Sequence, residues 1–339
     1  MELTRNDTKM LQGLSVHAMV CLHLFCTLDY ADKFTPLVMG GVPIVYYFAQ
    51  LSDFCVFGFA FCSGYGHYAQ SEKHNFYKIR LKGLLSLVCS YWLILIVFSM
   101  ISIIIGQGDF MPGSIGKFVR NILTLENSYN GAHWYMFTYI VLVLMSPFLM
   151  KMVQRIHPII ILGLGFAVYG IAYYVRFQMS ASSWFLQKFG PFGMTLFEYL
   201  VGAVCCRIRF IQLAHKIWKK IPKTMQGGLS IVVLIALLYI RTKVIPSLFV
   251  APVSGMILIM LFHFWQKPRE VEKFLLLIGE HSTNVWLTHM FFYLAPFKGF
   301  IYTAKYPLLI YTFMIAITLV VSFLLKILEK PIQKRIYGI

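Results

Sequence analysis

Long apolar runs recur along the whole chain, and short connections between them hold most of the charged residues. Most runs approach the roughly 20 residues that a helix needs to cross a hydrocarbon core about 30 Å thick. The first run begins close to Met1 and lacks an A-x-A cleavage pattern, so we expect it to be retained as a span. We predict ten membrane helices, at residues 10–28, 43–67, 83–106, 133–150, 158–176, 190–206, 226–241, 246–265, 282–300 and 306–326. The pattern therefore predicts an all-α, polytopic membrane protein with one domain over residues 1–339.

The composition agrees with this interpretation and excludes an ordinary soluble protein. Of 339 residues, 59% are hydrophobic and only 13% are charged, and the mean hydropathy is +0.71. A formal charge of +17 would suggest nucleic-acid binding in a soluble chain. Here most of the Lys and Arg residues lie in the connections assigned to one face, and the positive-inside rule makes that face cytoplasmic. We therefore expect both termini in the cytoplasm and no nucleic-acid partner.

The seven cysteines fall almost wholly inside predicted spans, and no two of them form a C-x-x-C pair. An odd number of cysteines in this arrangement indicates neither a disulfide framework nor a zinc site. We interpret them as small apolar packing residues.

Two connections carry an amphipathic pattern. Residues 114–123, in the longest predicted outer connection, have the apolar spacing of a short helix that lies on the membrane surface. Residues 207–225, in an inner connection, are strongly basic. That segment suits either lipid headgroups or a phosphorylated cofactor.

Ionisable residues inside predicted spans are few, and at membrane depth they are functional candidates because they are costly to keep there. For four of them a structural or interfacial role is the simpler interpretation, since neighbouring helices or headgroups can satisfy their polar atoms. These four are His17, Asp53, Glu198 and His263. The six candidates are His17, His23, Asp53, Glu198, His263 and His289.

His23 stands out because of helical periodicity. Gln12 precedes it by about three turns, which returns both residues to nearly the same side of a helix, roughly 16 Å apart. Val16 and Met19 lie between them on that stripe, whereas His17 points elsewhere. If one face of this helix lines a polar cavity, His23 lies on that face and His17 does not.

His289 lies in the sequence IGEHSTNVWLTHMFFY. We expect Gly279 to break the preceding helix and Ser282 to cap the next one, which would place His289 two turns inside the ninth span. A satisfied structural histidine and a pocket histidine are both compatible with this position.

In the second span, we expect the sequence SGYG at residues 63–66 to end the helix just before a basic cluster, YKIRLK.

Several of these segments together resemble the integral-membrane acyltransferase type 3 family, in its polysaccharide and fucose O-acetyltransferase-like branch. The first helix of that family has a basic residue followed by glycine, and a histidine 11 positions after the basic residue; the corresponding residues here are Gln12, Gly13 and His23. Further segments resemble family landmarks in the same order, and they read DFCVFGFAFCSGYG, RLKGLLSLVCSYW, NSYNGAHWYMFTYIVLVLMSPFL, LFEYLVGAVCCR, LIGEHSTNVWLTHMFFY and LEKPIQK.

The resemblance implies a ten-helix enzyme that transfers an acyl group, usually acetyl from cytoplasmic acetyl-CoA, to a hydroxyl of a cell-envelope glycan. It gives His23 the leading catalytic role, as a general base or as a residue that carries the acyl group. Expected contacts for acetyl-CoA, as a co-substrate and not a resident cofactor, are Lys9, Gln12, Ser63, Arg80 and Lys82. Expected contacts for the acceptor are Asn130, Trp134 and His289, and no metal is expected.

The chain departs from the family pattern at two positions. Gln12 replaces the basic residue of the first helix, and an amide can hydrogen-bond a phosphate but cannot neutralise it. Lys9, three residues earlier, is placed to substitute because its long stem can extend along the helix. Tyr139 stands where many relatives carry an acidic residue after the tryptophan of the fourth helix.

Two other functions remain open at this stage. A transporter or flippase for a lipid-linked saccharide would use buried histidines for protons or binding, but we see no broken helices or repeat symmetry in the sequence. A glycan polymerase would favour a large outer loop rich in arginine and acidic residues.

We expect a multi-pass protein of a bacterial plasma membrane, with membrane lipids and a surface polysaccharide or lipid-linked saccharide as partners.

Overall fold

The computed structural model describes residues 2–179, 183–245 and 247–338, and these are almost entirely helical. A short antiparallel hairpin, β1 (Val38–Met39) and β2 (Val42–Pro43), precedes the second helix. The α-helices are α1 (Arg5–Phe25), α2 (Ile44–Leu51), α3 (Cys55–Tyr68), α4 (Phe76–Ile104), α5 (Ile115–Ile122), α6 (Trp134–Arg155), α7 (Pro158–Phe177), α8 (Trp184–Arg207), α9 (Phe210–Trp218), α10 (Lys223–Tyr239), α11 (Ala251–Phe264), α12 (Arg269–Thr288), α13 (Met290–Tyr293) and α14 (Pro307–Tyr337). The described chain therefore has the predicted all-α character.

The first of two compact units comprises the described residues of Met1–Leu28, Leu37–His74 and Ser146–Glu280. Within it α1 and α8 both pack against α3, and α7 packs against α8. One apolar cluster of this unit includes Leu11 of α1, Phe57 and Phe61 of α3, and Ile259 of α11. These residues are fully or almost fully buried, so the unit has a core of its own.

The second unit comprises the described residues of Asp29–Pro36, Asn75–Met145 and His281–Ile339. Here α4 packs against α14, and Ser86 on α4 donates a 2.7 Å hydrogen bond to the side-chain oxygen of Gln333 on α14. A second polar contact joins α12 to α14, between His281 Nδ1 and Ser322 Oγ at 2.8 Å. Apolar packing and a few satisfied polar pairs thus hold these helices together.

Seven helical segments of the described chain are long and apolar enough to cross a membrane, which makes this a multi-pass membrane protein. They are Ile44–Tyr68, Phe76–Ile104, Gly131–Arg155, Pro158–Phe177, Trp184–Arg207, Lys223–Val244 and Pro307–Tyr337. Each overlaps a predicted span, although α4 begins seven residues earlier than expected and so includes Arg80 and Lys82.

The other three predicted spans do not meet the same criterion, so the total of ten stays a prediction. Two of them, α1 and α12, carry charged residues in their first turns, which lowers their mean hydropathy. The third, Leu248–Phe264, is apolar but short. Helices of this kind can cross a membrane where protein covers their polar side, because burial in protein replaces contact with lipid.

The second span contains a 3-10 turn, Ser52–Phe54, between α2 and α3. The backbone stays in the right-handed helical region at Leu51, Ser52, Phe54 and Cys55, so the turn tightens the helix without breaking it. The second span ends at Tyr68, one residue beyond its predicted end, but the glycines of SGYG lie inside α3 and do not break the helix. Gly64 serves packing instead: a Cβ at this position would collide with the carbonyl oxygen of Tyr199 on α8.

The expected break at Gly279 and the expected cap at Ser282 are also wrong. Helix α12 runs from Arg269 to Thr288 through both residues, so the ninth predicted span (282–300) begins far too late. Glycine inside a helix costs only about 1 kcal/mol relative to alanine. A close contact accounts for it here, since a Cβ at Gly279 would collide with the carbonyl oxygen of Lys9 on α1.

The predicted amphipathic helix of residues 114–123 is confirmed as α5. Ser114 caps it by accepting a hydrogen bond from the Lys117 amide at 3.2 Å. From α4, the Tyr91 hydroxyl donates to the carbonyl oxygen of Asn121 at 2.7 Å, which fixes the helix to the second unit. The apolar side chain of Ile115 is exposed, as expected for a helix that rests on lipid.

Gly64 and Gly66 give a matched pair for testing helix packing, because both lie on α3. A Cβ at Gly66 has no neighbouring atom within 4 Å. We expect Gly64→Ala to lower the free energy of unfolding by about 1–3 kcal/mol through overpacking. Gly66→Ala should leave it unchanged or raise it by up to about 1 kcal/mol. Thermal unfolding in detergent micelles measures both, and equal midpoints would contradict the close contact of α3 with α8.

Candidate functional site

Helix α1 carries the predicted catalytic histidine and begins with a complete capping box. The Asp7 amide donates to Thr4 Oγ1 at 3.1 Å, and the Thr4 amide donates to Asp7 Oδ2 at 2.8 Å. Gly13 lets the helix approach α12, since a Cβ there would collide with the carbonyl oxygen of Leu275. The start and the packing of α1 are thus set by its own sequence and by the two glycines that face each other across this contact, Gly13 and Gly279.

The two histidines of α1, His17 and His23, are both half-buried. His17 packs against Phe274 of α12, with ring centroids 5.4 Å apart. His23 lies in the last turn of α1 and is half-buried, as is Gln12. Val16 and Met19, between Gln12 and His23 on the same stripe, are buried. The stripe therefore has a partly exposed polar residue at each end and an apolar middle.

Asp53 lies in the 3-10 turn of the second span and forms an ion pair with Arg241. Both residues are almost completely buried, at 5% and 3% exposure. Arg241 also donates to the carbonyl oxygens of Ile245, at 3.2 Å, and Ser247. Arg241, the last residue of a predicted span (226–241), thus pairs with Asp53, while Asp53 Oδ1 has no hydrogen-bond partner among the described residues.

A second buried carboxylate, Glu198 on α8, lies within electrostatic range of Arg176 on α7 and of Asp53. It is 4% exposed, and its Oε2 atom has no hydrogen-bond partner among the described residues. Arg176, like Arg241, is the last residue of a predicted span, here 158–176. A lone arginine at the end of an apolar run was the available signal for both arginines, because such a residue can turn inward to a buried acid.

The predicted acceptor contacts lie together in the second unit, where the start of α6 meets the end of α12. Asn130 Nδ2 and His133 Nε2 donate to the same acceptor, the carbonyl oxygen of Leu287, at 3.1 and 2.9 Å. Trp286 Nε1 donates to the carbonyl oxygen of Ala132 at 3.0 Å. Hydrogen bonds from side chains to backbone carbonyls therefore join two segments that lie 154–157 residues apart in the chain.

His289 lies at the junction of α12 and α13, not two turns inside a helix. It is buried, and its Nδ1 atom donates to the carbonyl oxygen of Trp286 at 2.8 Å. Trp134 is half-buried and contacts Tyr135 edge to face, with centroids 5.5 Å apart. Of the three predicted acceptor contacts, Trp134 is the most exposed residue.

His133 is not among the predicted site residues, although it lies in the segment NSYNGAHWYMF. It is buried and makes edge contacts with the rings of Tyr91, at 5.1 Å, and Phe291, at 5.9 Å. The signal that could have found it is a histidine directly before the aromatic start of a span. Its surroundings make it a packing and positioning residue of this corner.

The predicted acetyl-CoA contacts are divided between the two units. Lys9, Gln12 and Ser63 belong to the first, and Ser63 donates its hydroxyl to the carbonyl oxygen of Phe59 at 2.8 Å. Arg80 and Lys82 belong to the second and lie in the first turns of α4. The guanidinium of Arg80 stands 5.8 Å from the centroid of the Phe76 ring.

Removing the Asn130 side chain should loosen the corner between α6 and α12. Asn130→Ala deletes the bond to Leu287 and also the 2.9 Å bond that Asn130 Oδ1 accepts from the Ala132 amide. Because both partners are buried, we expect the free energy of unfolding to fall by about 1–3 kcal/mol. Asn127→Ala, which removes an exposed bond to Gly131, is the control. Thermal unfolding that is the same for both variants would contradict this role.

Comparison with known proteins gives one match. The sequence model of a family described as an acyltransferase domain matches residues 8–327. No curated protein and no solved structure matches the chain. Among the described residues, no three His, Cys, Asp or Glu side chains are grouped so that they could hold a metal ion.

Proposed function

We propose, since the chain belongs to the acyltransferase 3 family, that it is a membrane O-acyltransferase. In this proposal it moves an acetyl group from cytoplasmic acetyl-CoA to a hydroxyl of a cell-envelope glycan. The observation that carries the proposal is the extent of the family match, residues 8–327, in a chain with seven helices able to cross a membrane. An acyl donor in the cytoplasm and a glycan on the envelope require an enzyme embedded between them.

We assign the central chemical role to His23. As a general base, its imidazole takes the proton from a sugar hydroxyl while the oxygen attacks the thioester carbonyl. The carbon–sulfur bond then breaks, and the CoA thiolate takes up a proton as it leaves. As a nucleophile, the imidazole itself would accept the acetyl group and pass it to the sugar oxygen in a second step.

For the donor, we assign Lys9, Gln12, Ser63, Arg80 and Lys82 as contacts. Two of these cations, Arg80 and Lys82, begin α4 at the end that the positive-inside rule makes cytoplasmic. Phosphates carry several negative charges, and arginine recognises them with paired hydrogen bonds. Lys9 supplies the charge that Gln12 cannot.

For the acceptor, we assign the corner that holds Asn130, Trp134 and His289. A half-buried indole is a suitable platform for a sugar ring, because it offers a flat apolar face with a polar edge. Asn130 and His289 already bond to backbone carbonyls in this structure. Their contribution is therefore to hold Trp134 and its neighbours in place.

The test is direct transfer of label. Membranes that contain this protein, supplied with acetyl-labelled acetyl-CoA and the surface glycan of the host, should transfer label to the glycan. Membranes without the protein are the control. Absence of transfer, with the protein inserted and abundant, would refute the proposed activity.

One observation favours the alternative of a transporter for a lipid-linked saccharide. Asp53, Arg241 and Glu198 are buried charges in apolar helices, and such groups often bind or relay protons in transporters. The two functions differ in their chemical product. A transporter would change where the saccharide is found without adding acetyl, so the O-acetyl content of the surface glycan, with and without the protein, separates them.

A further inference from the structure

The junction of α9 with α11, in the first unit, buries three ring nitrogens that have no hydrogen-bond partner among the described residues. They are His215 Nδ1, Trp218 Nε1 and His263 Nε2. A buried polar atom without a partner costs about 1–3 kcal/mol. Three such atoms lie together on these two helices, whereas most buried polar atoms in proteins are hydrogen-bonded. This concentration indicates that the junction is built to meet hydrogen-bond acceptors from outside the chain.

Ring packing fixes these nitrogens in one place. Trp218 stacks on Phe264, with centroids 4.8 Å apart and planes 13° from parallel. His215 and His263 contact each other edge to face at 5.9 Å, and each also contacts Phe264 at 6.0 Å. Phe264 is thus the common support of the three polar rings, and it holds them as one rigid group.

Positive charge surrounds this group. Lys219 acts electrostatically on His215, and Lys267 acts on His263. The ammonium of Lys267 is fixed near the end of α11 by donating to the carbonyl oxygens of Phe262, at 2.6 Å, and Trp265, at 3.1 Å. Positive charge next to buried hydrogen-bonding atoms is a typical arrangement for recognising an anion.

Asp7 is an acidic neighbour whose negative charge offsets part of this positive charge, since it interacts electrostatically with both His263 and Lys267. Its carboxylate already accepts hydrogen bonds from the amide and the hydroxyl of Thr4 at the start of α1. Burial, with a smaller contribution from Lys219, lowers the pKa of His215. Near pH 7 this ring is therefore mostly neutral. With its proton on Nδ1, a neutral imidazole adds one N–H donor beside that of the indole and no charge.

We propose that His215, Trp218 and His263 form a binding site for a phosphate group, carried by a lipid headgroup or by a nucleotide. Phosphate fits because it offers several acceptor oxygens to the ring N–H groups and a negative charge to Lys219 and Lys267. None of these residues is among the donor and acceptor contacts assigned above. The site can therefore be tested by binding alone, without turnover.

The test uses the full chain purified in dodecyl maltoside, a detergent without phosphate, and two probes. Coenzyme A is titrated by calorimetry, and dioleoylphosphatidylglycerol is added in steps and counted by native mass spectrometry. Trp218→Phe keeps a ring on Phe264 but removes the N–H group. Trp265→Phe is the matched control, because that indole is half exposed and lies at the same end of α11.

We expect Trp218→Phe to weaken the binding of one probe about tenfold, as loss of one hydrogen bond to a charged group should. Trp265→Phe should bind like the unchanged protein. An effect on coenzyme A identifies a nucleotide site, and an effect on the lipid identifies a headgroup site; either supports the proposal.

A double variant, His215→Phe with His263→Phe, keeps three apolar rings in the junction and should weaken the same probe further. Thermal unfolding midpoints show whether each variant is folded. The proposal is overturned if neither probe binds, or if both bind equally to the unchanged protein and to all variants. Because no step requires acetyl transfer, failure of the proposed enzyme activity would leave this result unaffected.

Discussion

Replacing His23 by alanine is expected to abolish transfer of acetyl from acetyl-CoA to the glycan, with a loss of at least about 100-fold. The reason is that a general base contributes roughly 10²–10⁴ to a rate, and an acyl-carrying residue is indispensable. The measurement is label transfer by membranes that contain equal amounts of each protein. Full transfer by the His23→Ala protein would contradict the assigned mechanism.

His17→Ala is the matched control, because it removes a histidine from the same helix. His17 packs on Phe274, so we expect some loss of stability but retention of transfer in the protein that remains inserted. Loss of transfer in this variant alone would move the catalytic role to the other side of α1. Mass spectrometry of protein quenched during turnover distinguishes the two roles of His23, since only a relay carries acetyl on that residue.

Breaking the buried ion pair in the first unit should have the largest effect on stability. Asp53→Asn leaves Arg241 as a buried charge without its counter-ion, and Arg241→Gln does the same to Asp53. We expect each single variant to lower the free energy of unfolding by about 3–5 kcal/mol. The double variant should recover part of this loss, because it buries no net charge.

Thiol reactivity during heating measures this effect well. Cys55, Cys62 and Cys205 are buried free thiols in the first unit, and they become accessible to a fluorogenic reagent when it unfolds. Lys273→Gln is the control, since its 3.0 Å pair with Glu270 is exposed and such pairs contribute little. Single variants of Asp53 or Arg241 that unfold at the temperature of the control would refute a structural role for the pair.

Much of the architecture followed from hydropathy alone. Seven predicted spans are present as apolar helices of sufficient length, and the amphipathic helix α5 begins and ends within one residue of its prediction. These features are local: a long apolar run must satisfy its own backbone in lipid, and a helix is how it does so. No knowledge of neighbouring segments was needed.

The failures have a common physical cause. Gly64, Gly279 and Ser282 were interpreted as signals for helix ends, but all three lie inside helices. The local preference of glycine for breaks is weak, about 1 kcal/mol. At Gly64 and Gly279 the close approach of a second helix backbone outweighs it, and the partner segments lie more than 100 residues away in sequence. Such a contact leaves no periodicity in a single chain.

The candidate site shows the same division. Periodicity places His17 and His23 on different sides of α1, because the direction of a side chain follows from the helix itself. The ion pair of Asp53 with Arg241 and the shared acceptor of Asn130 and His133 could not be foreseen. In each case the sequence around one partner indicates only a connection between spans or one end of a span.

By itself, the sequence determined that the protein is an all-α membrane protein, where most of its spans lie, and which face of α1 carries His23. These properties depend on short-range terms, namely burial in lipid, backbone satisfaction and helical period. Only the tertiary structure decided which buried charges are paired, why particular glycines stand inside helices, and which ring nitrogens at α9 and α11 lack a partner among the described residues. Those outcomes depend on contacts between distant segments, and their energies are set by distance and burial rather than by sequence pattern.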